Sequence, residues 1–113
     1  MKKKLNINYD DKYDSLFLYT RGDYGGSVEK FGLIIDLTKN NSIKGVEILD
    51  ASLFLSKISD SKITKKNLKE LKKSFLEVRC INDTLLIQID LKLKENDLLI
   101  PLRMEIPSYI SIH

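Results

Sequence analysis

The hydrophobic and polar positions of this chain follow three successive patterns. From Lys4 to Tyr9, Leu5, Ile7 and Tyr9 alternate with Asn6 and Asn8, the period of a half-buried strand. Leu16–Tyr19 is apolar at successive positions, which predicts a central or covered strand. Gly32–Leu37 and Ile43–Leu49 predict two more, joined by the turn-forming run Thr38-Lys39-Asn40-Asn41-Ser42. The run Arg21-Gly22-Asp23-Tyr24-Gly25-Gly26-Ser27 reads as a flexible loop. Then the period changes. Ala51, Phe54, Leu55 and Ile58 recur at i, i+3, i+4 and i+7, the stripe of a helix that Asp50 or Ser52 is placed to cap. A second helix is expected over Lys62–Ser74, with a thin apolar face of Leu68, Leu71 and Phe75.

The last third alternates again. Phe75–Ile81 predicts a strand, and Asn82-Asp83 a two-residue turn. Leu85, Ile87, Ile89, Leu91 and Leu93 then mark a long strand, joined through Lys94–Asp97 to another marked by Leu98, Ile100, Leu102, Met104 and Ile106. Pro101 has no N–H to donate, which places its strand at an edge or a bulge. The expected fold class is α+β: about four antiparallel strands, one or two helices, then about three strands. At 113 residues the chain is expected to be a single domain, 1–113. Within it, 5–56 holds the N-terminal meander and the helix start, and 57–113 the basic helix and long hairpin. The apolar face of that hairpin needs a cover. Helices cover part of it and a second subunit is the alternative, so a homodimer is expected.

Composition narrows the function classes. The apolar share is 42% and the charged share 31%, with no apolar run long enough to cross a bilayer. Met1-Lys2-Lys3-Lys4 is basic, but Asn6, Asn8, Asp10 and Asp11 break up any signal-like apolar segment after it. The expectation is a cytoplasmic protein without membrane association. Cys80 is the one cysteine and is expected to be buried beside Leu76 and Val78; no internal disulfide is possible. The one histidine is His113, which argues against Cys/His or Ser/His/Asp chemistry and removes the commonest transition-metal ligand.

Four groups of residues carry candidate chemistry. Asp10 and Asp14, with Asp11, are oxygen donors for Mg²⁺ or Ca²⁺, although Asp is also a preferred turn residue. Glu47 and Asp50 are candidates for an acid/base pair, against a strand-surface residue and a helix cap. Gly22, Gly25 and Gly26 fit neither phosphate-binding spacing, and no cofactor is expected. The fourth group is a charge asymmetry. Residues 1–60 hold nine basic and nine acidic groups, whereas 62–73 hold six lysines against Glu70. On a helix, Lys62, Lys65, Lys66, Lys69 and Lys73 share one side, a stripe suited to phosphates or an acidic protein partner; solvation alone is the plain reading.

Two segments resemble a known family. Tyr9-Asp10-x-x-x-Asp14-x-Leu16 and Gly45-Val46-Glu47-Ile48-Leu49-Asp50-Ala51-Ser52 are similar to the hallmarks of a prokaryotic family, domain of unknown function 2283. The resemblance covers about residues 5 to 56. It implies an α+β fold and carries over no catalytic residue. Some members are thought to be encoded beside small toxin-like proteins, which implies an antitoxin-like or partner-binding role. The expected function is a non-enzymatic protein-interaction module. The alternative is a nucleic-acid-binding protein using the Lys-rich helix 62–73.

Overall fold

The structure, a computed structural model, describes residues 2–30, 32–39, 42–93 and 99–107. The opening alternation builds β1 (Lys3–Asp10), and a turn with Asp14 at φ 52° returns the chain as β2 (Ser15–Tyr19). Next come β3 (Tyr24–Lys30), β4 (Leu33–Thr38), β5 (Ile43–Ile48), α1 (Ala51–Ser59) and α2 (Lys65–Lys69). The chain ends in β6 (Leu71–Ile81), β7 (Thr84–Leu93) and β8 (Leu99–Pro107). Among the described residues the eight strands form one antiparallel sheet, ordered β3-β4-β5-β2-β1-β6-β7-β8. The α+β expectation therefore holds loosely: the molecule is dominated by its sheet.

Strand β1 joins the two halves. Asn6–Asp10 pair with β2, whereas Lys3–Leu5 pair with β6. One face of the sheet carries the core. Leu5, Leu16, Leu18, Leu33, Ile35, Val46 and Ile48 cluster with Leu76, Ile87, Ile89 and Leu91. Ala51 and Leu55 of α1, Leu68 of α2 and Ile63 just before α2 join the same cluster, so both helices lie on this face. Burying such side chains stabilises by about 1.5–3 kcal/mol each, which is why the period-2 positions set the strand orientation. The buried side of β7 (Ile87, Ile89, Leu91, Leu93) is covered within the chain. A second subunit is not required to cover it.

Four local expectations are corrected. The loop expected over Arg21–Ser27 contains most of the edge strand β3. Glycine is a poor strand former, but here it permits close pairing: a Cβ on Gly25 would sit 2.4 Å from the Thr38 carbonyl oxygen, beside a bulge between Tyr24 and Gly26. The helix expected over Lys62–Ser74 is only one turn long, Lys65–Lys69. Thr64 and Asn67 form its reciprocal capping box, with Oγ1 of Thr64 accepting from the Asn67 N–H at 3.1 Å. Beyond it Leu71–Ser74 belong to β6, because pairing with β7 and β1 outweighs the helix preference of lysine.

The third correction concerns Cys80, which does share a sheet face with Leu76 and Val78 but is exposed. The β6–β7 hairpin overhangs the core there, leaving Val78 and Ile81 exposed as well. The fourth is the cap of α1, described below. The Asn82-Asp83 turn is as expected, with Asn82 at φ 55° and Ile81 opposite Thr84. Pro101 lies in β8, an edge strand. The expected turn at Lys94–Asp97, Asn40, Asn41 and His113 lie outside the described residues. No helix is long and apolar enough to cross a membrane among the described residues.

Candidate functional site

Two constructions bring sequence-distant polar groups together. The first lies at the start of α1. Neither Asp50 nor Ser52 caps this helix: Asp50 is left-handed (φ 49°) and its side chain makes no cap bond. The cap comes from Asp14, 38 residues away. Its Oδ1 accepts from the Ser52 N–H at 3.1 Å, and its Oδ2 from the Ser52 hydroxyl at 2.6 Å. The Tyr9 hydroxyl donates to Oδ1 at 2.6 Å, and the Asp14 carbonyl accepts the Ala51 N–H at 2.8 Å. A carboxylate at a helix N-terminus satisfies orphan N–H groups and complements the helix dipole. Burial works against the Asp14 charge, but the Ser52 and Tyr9 hydrogen bonds outweigh it and hold its pKa below the ordinary value. The Tyr9 hydroxyl is driven well above its ordinary pKa by burial first, and then by its bond to Asp14.

The other acidic candidates are engaged nearby. Asp10 Oδ1 accepts the Lys12 N–H at 2.9 Å, and Asp11 pairs with Lys69 at 2.6 Å. Asp10 and Asp14 are thus brought into one turn, with protein donors on both. Among the described residues no group of three His, Cys, Asp or Glu is placed to hold a metal ion.

The second construction is the sheet face opposite the helices. Here β2 presents Phe17 and Tyr19, stacked with centroids 4.8 Å apart. The Lys44 ammonium lies 6.0 and 5.8 Å from their centres, and donates to the Thr20 carbonyl at 3.3 Å. On the β1 side Asn8 stands opposite Phe17 and Asn6 opposite Tyr19. On the β5 side the neighbours are Glu47 and Gly45. Toward the turn, Asn8, Asp10, Tyr13, Ser15, Phe17 and Leu49 line a shallow groove.

Glu47 does not meet Asp50. Its partner is Asp36 on β4, which the sequence reading did not single out. Asp36 is buried and accepts the Ser27 hydroxyl at 2.7 Å; Ser27 in turn meets the Tyr24 hydroxyl at 2.6 Å. Burial, then the Asp36 charge and hydrogen bond, raise the Glu47 pKa above the ordinary carboxylate value. Stability held by the protonated form is full below the unfolded pKa and is lost as pH rises through the folded one. Glu47→Gln keeps a donor for Asp36 without the charge. It is expected to raise the melting temperature at pH 8 by about 4 °C, from about 1 kcal/mol for one such bond, and to change little at pH 4. Thermal melts at the two pH values check this.

The lysine stripe is divided. Lys65, Lys66 and Lys69 are on α2, Lys62 precedes it, and Lys73 is on β6 opposite Lys92. The one-turn α2 cannot display five lysines on one side. Lys73 joins the open sheet face instead, next in register to Asn6, with Lys4 opposite Phe75. Only the strand pairing of β1 with β6 makes these groups neighbours.

Residues 6–52 match a family described as "Protein of unknown function (DUF2283)". The match includes both signature segments, and therefore Tyr9, Asp14 and Ser52, which meet at the helix cap. No curated protein and no solved structure matches this chain.

Proposed function

We propose that this protein is a non-enzymatic binding module and that a macromolecular partner docks on the open face of the sheet. In this reading, the signature of the matched family builds the scaffold. Tyr9, Asp14 and Ser52 lock α1 to the β1–β2 turn, and Gly45 lets β5 approach β2 closely. One observation carries the proposal: Phe17 and Tyr19 lie on the solvent-facing side of the central strand pair, where a half-covered antiparallel sheet ordinarily shows polar residues. Surface aromatic groups rimmed by polar side chains mark interaction sites. The acid pair on this face is engaged in cross-strand hydrogen bonds that tie β3, β4 and β5.

Hydroxyl-radical footprinting in concentrated source-cell lysate tests the docking face. Phe17, Tyr19 and Phe75 are expected to be protected relative to buffer, while Leu53 and Ile58, exposed on α1, stay reactive. Unchanged reactivity at the three rings, or protection confined to α1, would overturn the assignment of the face. A turnover abolished by Glu47→Gln or Asp50→Asn would overturn the non-enzymatic reading.

A further inference from the structure

Resting on the docking face just assigned, we propose that its ligand is a single-stranded nucleic acid, crossing β2, β1 and β6. Three features of that track support this ligand. Its rings supply sequence-tolerant stacking surfaces: Phe17 and Tyr19 at one end, and Phe75 at the other, opposite Lys4. Two strand spacings and a two-residue offset separate Tyr19 from Phe75 by about 12 Å. Between them lie Asn6, Lys4 and Lys73, all exposed. The two lysine ammonium groups complement phosphates, and the Asn6 amide offers both a donor and an acceptor to a base edge. Lys44, now over the ring pair, is within reach of a phosphate beside a stacked base.

The acidic groups flank the track: Glu77, two residues past Phe75 on β6, is paired with Arg79 at 2.8 Å, and Asp10 lies past Asn8 on β1. Asp36 and Glu47 hydrogen-bond to each other on the β4–β5 side, with Glu29 beyond them on β3. On the other side Asp90 lies opposite Phe75 but is paired with Lys2 at 3.3 Å. Exposed lysines around aromatic rings suit this ligand better than a protein, because the cores of protein interfaces are depleted in lysine. Duplex ends fit poorly, since their bases are already stacked.

The test is fluorescence anisotropy with labelled 12-nucleotide single strands of RNA and of DNA, a 12-base-pair duplex, and poly-glutamate, across a salt series. One or both single strands are expected to bind, with a log–log salt slope of about −2 to −3 for three or four lysine contacts. Lys4→Glu with Lys73→Glu is expected to weaken binding at least tenfold and flatten the slope. Tyr19→Leu and Phe17→Leu keep apolar bulk but remove the rings; each is expected to cost about tenfold with the slope unchanged. Melting curves establish that each variant is folded.

Preference for RNA or DNA identifies the strand without altering the inference. No single-strand binding at 50 mM salt would overturn it, while protection of the rings in lysate would still stand for the docking face. Equal affinity for the duplex or poly-glutamate, or indifference to loss of the rings, would also overturn it.

Discussion

Asp14→Ala is expected to lower the melting temperature by about 12 °C, the largest effect of any single turn substitution in this chain. Three side-chain hydrogen bonds to its carboxylate disappear together, from Tyr9, the Ser52 N–H and the Ser52 hydroxyl. Hydrogen bonds to a charged group contribute about 1.5–3 kcal/mol each, but bonds sharing one acceptor are not additive. A joint loss of about 3 kcal/mol is the reasonable magnitude, at roughly 4 °C per kcal/mol for a domain of this size. Asp14 also has positive φ, where alanine is strained by about 1 kcal/mol. Asp14→Gly removes that strain while still losing the carboxylate. If the glycine variant melts with wild type, the carboxylate contributes nothing and the cap is incidental.

The pH dependence provides a second check with a definite sign. The folded-state pKa of Asp14 lies below its ordinary value. Its contribution is therefore full above the unfolded pKa and is lost as pH falls through the folded one. The gap between wild type and Asp14→Ala should narrow as pH falls through the acid range. Glu47→Gln behaves oppositely, with its gap opening toward alkaline pH.

Gly45→Ala is the second large effect. A Cβ at this position would stand 2.4 Å from the Leu18 carbonyl oxygen and 3.0 Å from the Tyr19 Cα. Both are backbone atoms of β2, so no side chain can rotate away. Strands β2 and β5 must separate or slip, at the centre of the sheet beside fully buried Leu18 and Val46. Overpacking against fixed neighbours costs about 1–3 kcal/mol, and this site belongs at the upper end. The expected result is a melting temperature about 10 °C lower, with faster amide exchange across β2 and β5. A Gly45→Ala protein with wild-type melting would mean that the two strands are not in close register.

Much of the fold was legible along the chain. Leu5, Ile7 and Tyr9 mark β1 because alternate residues of a strand face the same side. Leu85 to Leu93 mark β7 for the same reason, and Ala51, Phe54 and Leu55 mark α1 by the 3.6-residue period. Segments where local preference and long-range pairing disagree were not legible. Gly25 and Gly26 argue locally for a loop, yet the close approach to Thr38 makes glycine the residue that fits β3 there. Lys72, Lys73 and Ser74 argue locally for helix, yet β1 and β7 supply strand partners on both sides. Glu47 and Asp50 are candidates for a pair only because they are near in sequence, whereas strand pairing brings Asp36 to Glu47 across β4 and β5.

The sequence by itself determined the local periods, the α1 stripe, the Asn82-Asp83 turn and the similarity of its two signature segments to a known family. Each of these depends on neighbours within a few residues, where backbone geometry alone fixes which side chains share a face. The tertiary structure alone decided that Asp14 caps α1, that Asp36 partners Glu47, and that Lys4 and Lys73 meet the same face as Phe17 and Tyr19. Those relations depend on which strands pair and in what register. That choice is made by burial of the whole core, a sum over residues from Leu5 to Leu93 that no short window of sequence contains.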